Sequence, residues 1–186
     1  MVAGIIVLTF VVGNSAFAQN LLKNGSFEDN AVLSKADEMV KKGFTLEFDS
    51  KCWAKGWVIN DATNPASISL VAGNDVPDGK RYLNVKSPGW THIFTQESIS
   101  GESTYKISFM ARGNASAIKI LAYLYKKADG AWAGKNNNLL GTFNLDNSWK
   151  EFSLDLPAVG NELVFRLAFE FQGSCDLDNV KVEKMK

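Results

Sequence analysis

The sequence has a single histidine, His92, and only two cysteines among its 186 residues. One histidine excludes a multi-histidine metal centre, and a Ser–His–Asp or Cys–His catalytic arrangement would have to use His92. The sequence also lacks a G-x-S-x-G motif, a phosphate loop and a dinucleotide fingerprint. The common sequence marks of an enzyme are therefore missing, although a glycosidase needs only two facing carboxylates and leaves no such mark.

The sequence also has no net charge, because its 20 Lys and Arg residues balance its 20 Asp and Glu residues. We therefore expect neither nucleic acid nor a membrane surface as a partner.

The one long apolar run is AGIIVLTFVV at residues 3–12, which precedes the small residues of Ser15–Ala18 and is too short to span a bilayer. We interpret residues 1–18 as a secretory signal peptide, although no Lys or Arg precedes the run, and expect a secreted, periplasmic or cell-surface protein.

Export would permit a disulfide between Cys52 and Cys175. Such a bridge would stabilise the fold by about 4–5 kcal/mol in the chain-entropy description. The alternative is that both residues are buried thiols.

Residues 19–186 have the pattern of one all-β domain, because short strand-like runs alternate with clusters of Gly, Asn, Asp and Pro. A segment at Leu33–Lys42 has apolar residues at helical spacing, which predicts a short helix or an irregular insertion. The predicted strands are Ser67–Val71, Lys80–Val85, Thr91–Gln96, Tyr105–Arg112, Ile118–Tyr125, Leu139–Leu145, Lys150–Leu156, Leu163–Phe171 and Asp178–Glu183.

Alternation in three of these strands separates an apolar face from a mixed face. The strands are Tyr105–Arg112, Ile118–Tyr125 and Leu163–Phe171, and in each the apolar face is expected to lie in the core. The mixed faces carry side chains suited to a polar, flat-sided ligand: Arg112, Tyr123, Tyr125, Arg166 and Glu170. A surface ion pair between Arg166 and Glu170 is the alternative, and it would contribute little to stability.

Several segments also occur in the order found in one known family. They are Asn24–Asp29 (NGSFED), Gly56-Trp57, Gly79–Val85 with Trp90–Gln96, Thr104–Arg112 (TYKISFMAR), Trp149–Leu154 and Leu177–Val180 (LDNV). In these segments the chain resembles carbohydrate-binding modules of the family 4/9/22 kind. The resemblance spans nearly all of residues 19–186. It implies a jelly-roll β-sandwich of the galactose-binding-like group, with Trp57 and Trp149 in its core.

The resemblance further implies that the first and last strands run side by side and hold a structural calcium ion remote from the sugar site. Glu28 and Asp178 match the carboxylate ligands, Ser26 would lie on the same strand face as Glu28, and Asp176 is a further candidate. Calcium requires about six to eight oxygen ligands, partly from backbone carbonyls. Asn179 departs from the family's second Asp, which lowers the local charge. The alternative is that Glu28 and Asp178 only cap strands and turns.

Sugar binding requires rings for the apolar face of a pyranose and polar groups for its hydroxyl rim. The candidate rings are Trp53, Trp90, Trp132, Tyr123 and Tyr125. The candidate polar contacts are Arg112, Arg166, Glu170 and His92. For Trp90 and Trp132, packing against the sandwich is the alternative, and Trp53 would pack on a disulfide.

The expected function is therefore non-catalytic binding of a poly- or oligosaccharide by an exported, monomeric module. The alternatives are a protein-binding or adhesion module, a degenerate module without sugar affinity, and a small glycoside-active enzyme. Two or more rings in one groove would favour sugar, whereas a flat apolar patch would favour a protein partner. A face of Lys and Glu without rings would favour a degenerate module.

Overall fold

The computed structural model describes residues 19–48, 52–133 and 138–186, so the predicted signal peptide lies outside the described residues. Almost all regular structure in these ranges is β. The elements are β1 (Asn30–Val32), α1 (Ala36–Lys41), β2 (Thr45–Glu47), β3 (Cys52–Ala54), β4 (Trp57–Ile59), β5 (Ser67–Ala72), β6 (Arg81–Thr95), β7 (Ile99–Ser100), β8 (Tyr105–Lys126), β9 (Asn138–Leu145), β10 (Lys150–Leu156) and β11 (Leu163–Lys184). The helix expected within Leu33–Lys42 is confirmed as the shorter α1.

Three strands are much longer than predicted, because β6, β8 and β11 each join two predicted strands. Residues 86–90, 113–117 and 172–177 separate the predicted strands, and the expectation that the strands end there was wrong. Each stretch instead lies within a long strand, at or near a change of pairing partner or of register. In β8, residues 105–111 pair with β10 and residues 116–122 pair with β9. In β11, the register shifts around Gly173, whose φ of 83° is readily adopted by glycine.

The changes of partner divide the strands into two layers. We call one layer the front sheet. It contains β4, the C-terminal half of β6, the N-terminal half of β11, the C-terminal half of β8, and β9. The back sheet contains β2, β5, the N-terminal half of β6, the C-terminal half of β11, the N-terminal half of β8, and β10. The predicted jelly-roll sandwich is thereby confirmed.

The core lies between the two sheets and contains the predicted apolar faces. Phe109 on the back sheet meets Phe169 on the front sheet edge to face, with ring centroids 5.5 Å apart. Both side chains are fully buried, as are Ile107, Ile120 and Phe165. Burial of each such side chain stabilises the fold by about 1.5–3 kcal/mol, so this interior fixes the outer face of the front sheet in position.

The two ends of the described chain lie together, as predicted. The amide of Leu21 donates to the Val182 carbonyl at 2.8 Å, and that of Val180 donates to the Gly25 carbonyl at 2.9 Å. The segment that follows Leu22 is a turn rather than a strand. The prediction that Ser26 shares a strand face with Glu28 was therefore wrong. The turn directs Phe27 into the core, 5.0 Å from the ring of Trp57.

The predicted disulfide between Cys52 and Cys175 was also wrong, since both residues are thiols. Cys175 lies in the centre of the sandwich, where its Sγ donates to the Gln172 carbonyl at 3.4 Å and burial raises its pKa to about 11. Cys52 lies on β3, which pairs with β1 rather than with β11. The described strand pairing therefore does not place Cys52 opposite Cys175.

Within the same three ranges, no helix has the length and apolar character needed to cross a membrane.

Candidate functional site

A groove of about 670 Å³ lies on the outer face of the front sheet. Its floor includes Phe94 on β6 and Tyr123 and Tyr125 on β8. Its walls come from residues 31–35, which run from β1 to the start of α1, and from the turn after β4. The volume is typical of a site for a small organic molecule.

Three aromatic residues form one end of the groove, and we call Tyr123, Tyr125 and Trp132 the ring cluster. Trp132 is 47% exposed and meets Tyr123 and Tyr125 at centroid distances of 5.7 and 5.3 Å. The interplanar angles are 68° and 84°, so the rings meet edge to face. A backbone bridge between Tyr125 and Trp132 holds the loop after β8 in place. The cluster therefore presents ring faces at two inclinations rather than one flat platform.

Arg166 lies beside the ring cluster, with its guanidinium carbon 4.9 Å from the centroid of Tyr125. Its Nε donates to Ser98 Oγ at 3.3 Å. In the described residues it makes no ion pair with Glu170, which was the alternative weighed from the sequence. Arg166 therefore remains a candidate for polar contact at the edge of the groove.

His92 is held by a polar network below the groove. Its Nε2 lies 2.9 Å from Glu170 Oε1, and its Nδ1 is hydrogen-bonded to the Tyr123 hydroxyl. Because a carboxylate only accepts, the neutral imidazole carries its proton on Nε2 and accepts from Tyr123 at Nδ1. The other oxygen of Glu170 lies 3.3 Å from Lys119 Nζ. Glu170, which was predicted to contact ligand, lies beside His92 on the adjacent strand and orients its ring; it is not among the described residues that line the groove.

The ionisation of this network is fixed by its surroundings. Burial opposes the charged form of Glu170, but the hydrogen bond from His92 and the nearby charge of Lys119 outweigh it and lower the Glu170 pKa. Burial raises the pKa of Tyr123, and the nearby charge of Glu170 adds to the effect. Glu170 is therefore a stable acceptor and Tyr123 keeps its hydroxyl proton.

The position of Tyr123 depends on a small neighbour. Ala168 is fully buried beneath the aromatic side chains and packs in one cluster with Tyr123 and Leu121. Register places Ala168 opposite Leu121 on one side and opposite Phe94 on the other. Because alanine leaves space above the sheet, the Tyr123 ring crosses the central strand and reaches His92 on β6.

Of the two other predicted rings, Trp90 is not among the groove's described lining residues, whereas Trp53 lines the groove but is almost fully buried. Trp90 lies half-buried on the same face of β6 and is covered by Lys119, whose Nζ is 3.5 Å from the ring centroid. Trp53 is only 3% exposed, and its indole N–H donates to the Trp57 carbonyl at 2.8 Å. Trp57 is buried in the core as predicted.

Arg112 lies on the outer face of the back sheet, away from the groove. Its Nε donates to Asp176 at 2.7 Å and its Nη1 to Asp75 at 2.5 Å. The guanidinium stacks on Trp149, 4.6 Å from the ring centroid. The prediction of Trp149 in the core was wrong, because it is half-buried on this outer face. This group fastens the loop of Asp75 to the sheet.

The sequence reasoning missed Asn60 and Asp61, which line the groove after β4. Lys42 donates to Asp61 at 2.7 Å, and this hydrogen bond lowers the Asp61 pKa. The only sequence signal was a turn-forming cluster after the Gly56-Trp57 motif, which marks a turn without showing that it borders a groove.

An acidic group lies beneath the chain ends, on the opposite layer from the ring cluster. Asp178 is fully buried, and its Oδ2 accepts from the Asp78 amide at 2.9 Å. Its Oδ1 has no hydrogen-bond partner among the described residues. Burial raises the Asp178 pKa to about 7, and the charges of Asp78 and Glu28 add to the effect.

Glu28 faces the same loop, and its Oε1 accepts from the amides of Lys80 and Arg81 at 2.6 and 2.7 Å. A Cβ at Gly79 would lie 2.5 Å from that oxygen, so this approach requires glycine. Asp176 uses one oxygen for Arg112 and the other for Asn84. Among the described residues, no group of three or more His, Cys, Asp or Glu is arranged to hold a metal ion. A cation here would therefore need backbone carbonyls or water as further ligands.

The sequence was compared with known families and curated proteins. The model of the family described as "Carbohydrate binding domain", CBM_4_9, matches residues 19–174. No curated protein matches the chain.

Solved structures with a similar fold include several modules with named ligands. The CBM22-1 xylan-binding domain of Paenibacillus barcinonensis Xyn10C has a TM-score of 0.59 at 15% identity, covering 91% of this chain and 96% of that one. TmCBM61, in complex with β-1,4-galactotriose, has a TM-score of 0.53 at 13% identity, covering 90% and 100%. The CBM22-1–GH10 modules of Clostridium thermocellum Xyn10B, complexed with xylohexaose, have a TM-score of 0.56 at 16% identity, covering 70% and 26%. At these identities the similarity shows the fold alone.

Proposed function

The chain belongs to the carbohydrate binding domain family, and we propose that its front-sheet groove binds a poly- or oligosaccharide. The observation that carries this proposal is the ring cluster, which brings three aromatic side chains to one end of the groove. Several rings in one groove favour a sugar site over a protein-binding patch or a degenerate module.

The rings and the polar groups have separate roles in this proposal. Trp132 is the most exposed ring of the cluster and would stack on the C–H face of a pyranose. Tyr125 would contact the sugar from a second direction, since it meets Trp132 at 84°. Asn60 and Arg166 would exchange hydrogen bonds with the hydroxyl rim. His92 lines the groove, but both of its nitrogens are engaged by Glu170 and Tyr123, so it would offer the sugar ring contact only. Trp90 is the remaining candidate and would be reached only if Lys119 moved from its ring.

We propose binding without cleavage. A glycosidase acid needs a raised pKa so that it can donate its proton. Among the described residues, Asp61 lines the groove and Glu170 is bonded to His92, which lines it. Both carboxylates have lowered pKa values because of their hydrogen-bonded and cationic partners. Asp178 has a raised pKa but is fully buried on the other side of the molecule.

The ligands named for the similar structures indicate which sugars to test first. Xylan, xylohexaose and β-1,4-galactotriose are bound by proteins of the same fold. Affinity electrophoresis of the protein in gels containing xylan, β-1,4-galactan or a mixed-linkage β-glucan tests the proposal. We expect retardation by one class. Free migration in every gel, with the protein shown to be folded, would contradict the proposal and favour a protein partner or a degenerate module.

We also propose a structural calcium ion beneath the chain ends, held by Asp178 and Glu28. The support is the buried Asp178 Oδ1, which has no described partner, together with the negative charges of Glu28 and Asp78 around it. A cation would satisfy that oxygen and offset the repulsion. The carbonyl groups of the adjoining turn, which contains Ser26, would complete the oxygen ligands. Asp176 is engaged elsewhere and is not needed.

Export through residues 1–18 and a monomeric state are also proposals. The apolar run of residues 3–12 supports export. Mass spectrometry of the secreted protein would identify the first mature residue, expected at Gln19, and light scattering would give its oligomeric state.

A further inference from the structure

A second cavity of about 280 Å³ adjoins the groove at the turn between β3 and β4. The two share Lys55, Gly56 and Gln96 as lining residues. The cavity therefore lies at the edge of the groove, next to the N-terminal segment of the described chain.

The boundary between groove and cavity is held in place by hydrogen bonds. It is formed by Lys55, Gly56 and Gln96, of which Gly56 has no side chain and has a φ of 83°. The Gln96 amide donates to the Gly56 carbonyl at 2.7 Å, and the Lys55 amide donates to the Asp29 carbonyl at 2.8 Å. The turn is thus tied to β6 on one side and to the N-terminal segment on the other, and a ligand could cross it without moving a side chain at Gly56.

The chemistry of the cavity differs from that of the groove, because no aromatic ring is among its described lining residues. Lys23 and Glu97 form an exposed ion pair at 2.8 Å. Asn24 is committed to backbone groups of Asp29 and Lys55. The lining as a whole has two cationic and two anionic side chains, which come from Lys23, Lys55, Asp29 and Glu97. The cavity therefore offers hydrogen-bond donors and acceptors without a net charge.

We infer that this cavity is an additional subsite of the groove, which binds a neutral sugar unit beyond those stacked on the ring cluster. The inference rests on the proposed function. Hydroxyl groups match a lining of balanced charge, whereas an acidic sugar would gain nothing from it. Ligands short enough to remain in the groove do not reach the cavity, so its contribution depends on chain length.

The test is a length series with a variant that alters only the cavity. Lys23→Ala/Glu97→Ala removes a donor and an acceptor, keeps the net charge, and touches no residue that lines the main groove. Affinities are measured by calorimetry for oligosaccharides from disaccharide to hexasaccharide, with xylo-oligosaccharides first and then the series of any polysaccharide that retards the protein. We expect the hexasaccharide affinity to fall about three- to tenfold, as for one or two lost hydrogen bonds. The disaccharide affinity should not change.

The matched control is Asp146→Ala/Lys150→Ala, which removes another exposed ion pair at a turn remote from the groove. This control variant should bind every oligosaccharide of the length series with the wild-type affinity. Equal hexasaccharide affinity in the cavity variant and the wild type, or an equal loss at every length, would overturn the subsite. Failure of the wild-type protein to bind any member would instead overturn the proposed function, and the subsite with it.

Discussion

At the scale of single residues, Trp132 has the largest expected effect on binding. Its ring is the most exposed of the ring cluster and makes few contacts that stabilise the fold. Trp132→Ala should weaken polysaccharide binding about tenfold or more, through loss of stacking and apolar contact. The melting temperature should hardly change. Affinity electrophoresis and thermal unfolding measure the two effects.

Trp149→Ala is the control for this change, because Trp149 is a half-buried tryptophan on the outer face of the other sheet. It should preserve binding and lower stability modestly through loss of the contact with Arg112. A Trp149→Ala variant that lost binding while Trp132→Ala kept it would place the site on the back sheet.

Asp178 is the residue on which the calcium proposal depends. Calcium should raise the melting temperature of the wild-type protein, because an ion bound only by the folded state stabilises it. Asp178→Asn keeps the shape and the acceptor for the Asp78 amide but removes the charge, and should abolish the response. Thermal unfolding in calcium and in chelator measures this.

Asp176→Asn is the corresponding control, since both Asp176 oxygens are bound by Arg112 and Asn84. Its response to calcium should persist. Identical melting of the wild-type protein in calcium and in chelator would rule out the proposed ion.

At the scale of secondary-structure elements, the contact between the N-terminal segment and β11 depends on Gly25. A Cβ at this position would lie 1.9 Å from the Val180 carbonyl oxygen, which is backbone and does not yield easily. Gly25→Ala should therefore lower the free energy of unfolding by about 1–3 kcal/mol, as for other overpacked sites. Urea unfolding measures the change.

Gly73→Ala provides the comparison, because its Cβ would meet its nearest neighbour at an ordinary 3.7 Å. We expect it to be nearly neutral. Equal stability of the two variants would mean that the N-terminal segment contributes little to the fold.

The long strands explain where the predicted site residues lie in the structure. Alternation in the sequence correctly separated core residues from outward residues in β8 and β11. It did not show that β8 changes sheet near Gly113, so Arg112 and Tyr123 were assigned to one surface although they lie on different sheets. Glycine and proline clusters were interpreted as the ends of strands, because sequence alone does not distinguish a loop from a bend within a paired strand.

Trp149 illustrates the same difficulty. The family resemblance implied a core residue, but the pairing of Lys150 with Ala111 brings Trp149 next to Arg112 on the outer surface. Pairing register depends on contacts distant in the sequence, and no local pattern specifies it. The ring cluster was predicted in part, since Tyr123 and Tyr125 share a strand face. The place of Trp132 in the ring cluster depends on where the loop after β8 folds back, which sequence alone does not specify.

At the scale of the whole molecule, the sandwich is held together by its core and not by a covalent link between Cys52 and Cys175. A reducing agent should therefore leave the melting temperature unchanged. A bridge closing so long a loop would stabilise the fold by about 4–5 kcal/mol in the entropic description. A fall of several degrees on reduction would show that the two thiols pair in solution.

The central claim is that sugar binds in the front-sheet groove against the ring cluster. The most direct test is NMR of the tryptophan indole N–H groups during titration with the polysaccharide or oligosaccharide that the protein binds. The account predicts that the Trp132 signal shifts most, while the signal of Trp149 on the back sheet stays in place. A shift of the Trp149 signal with Trp132 unchanged would contradict it.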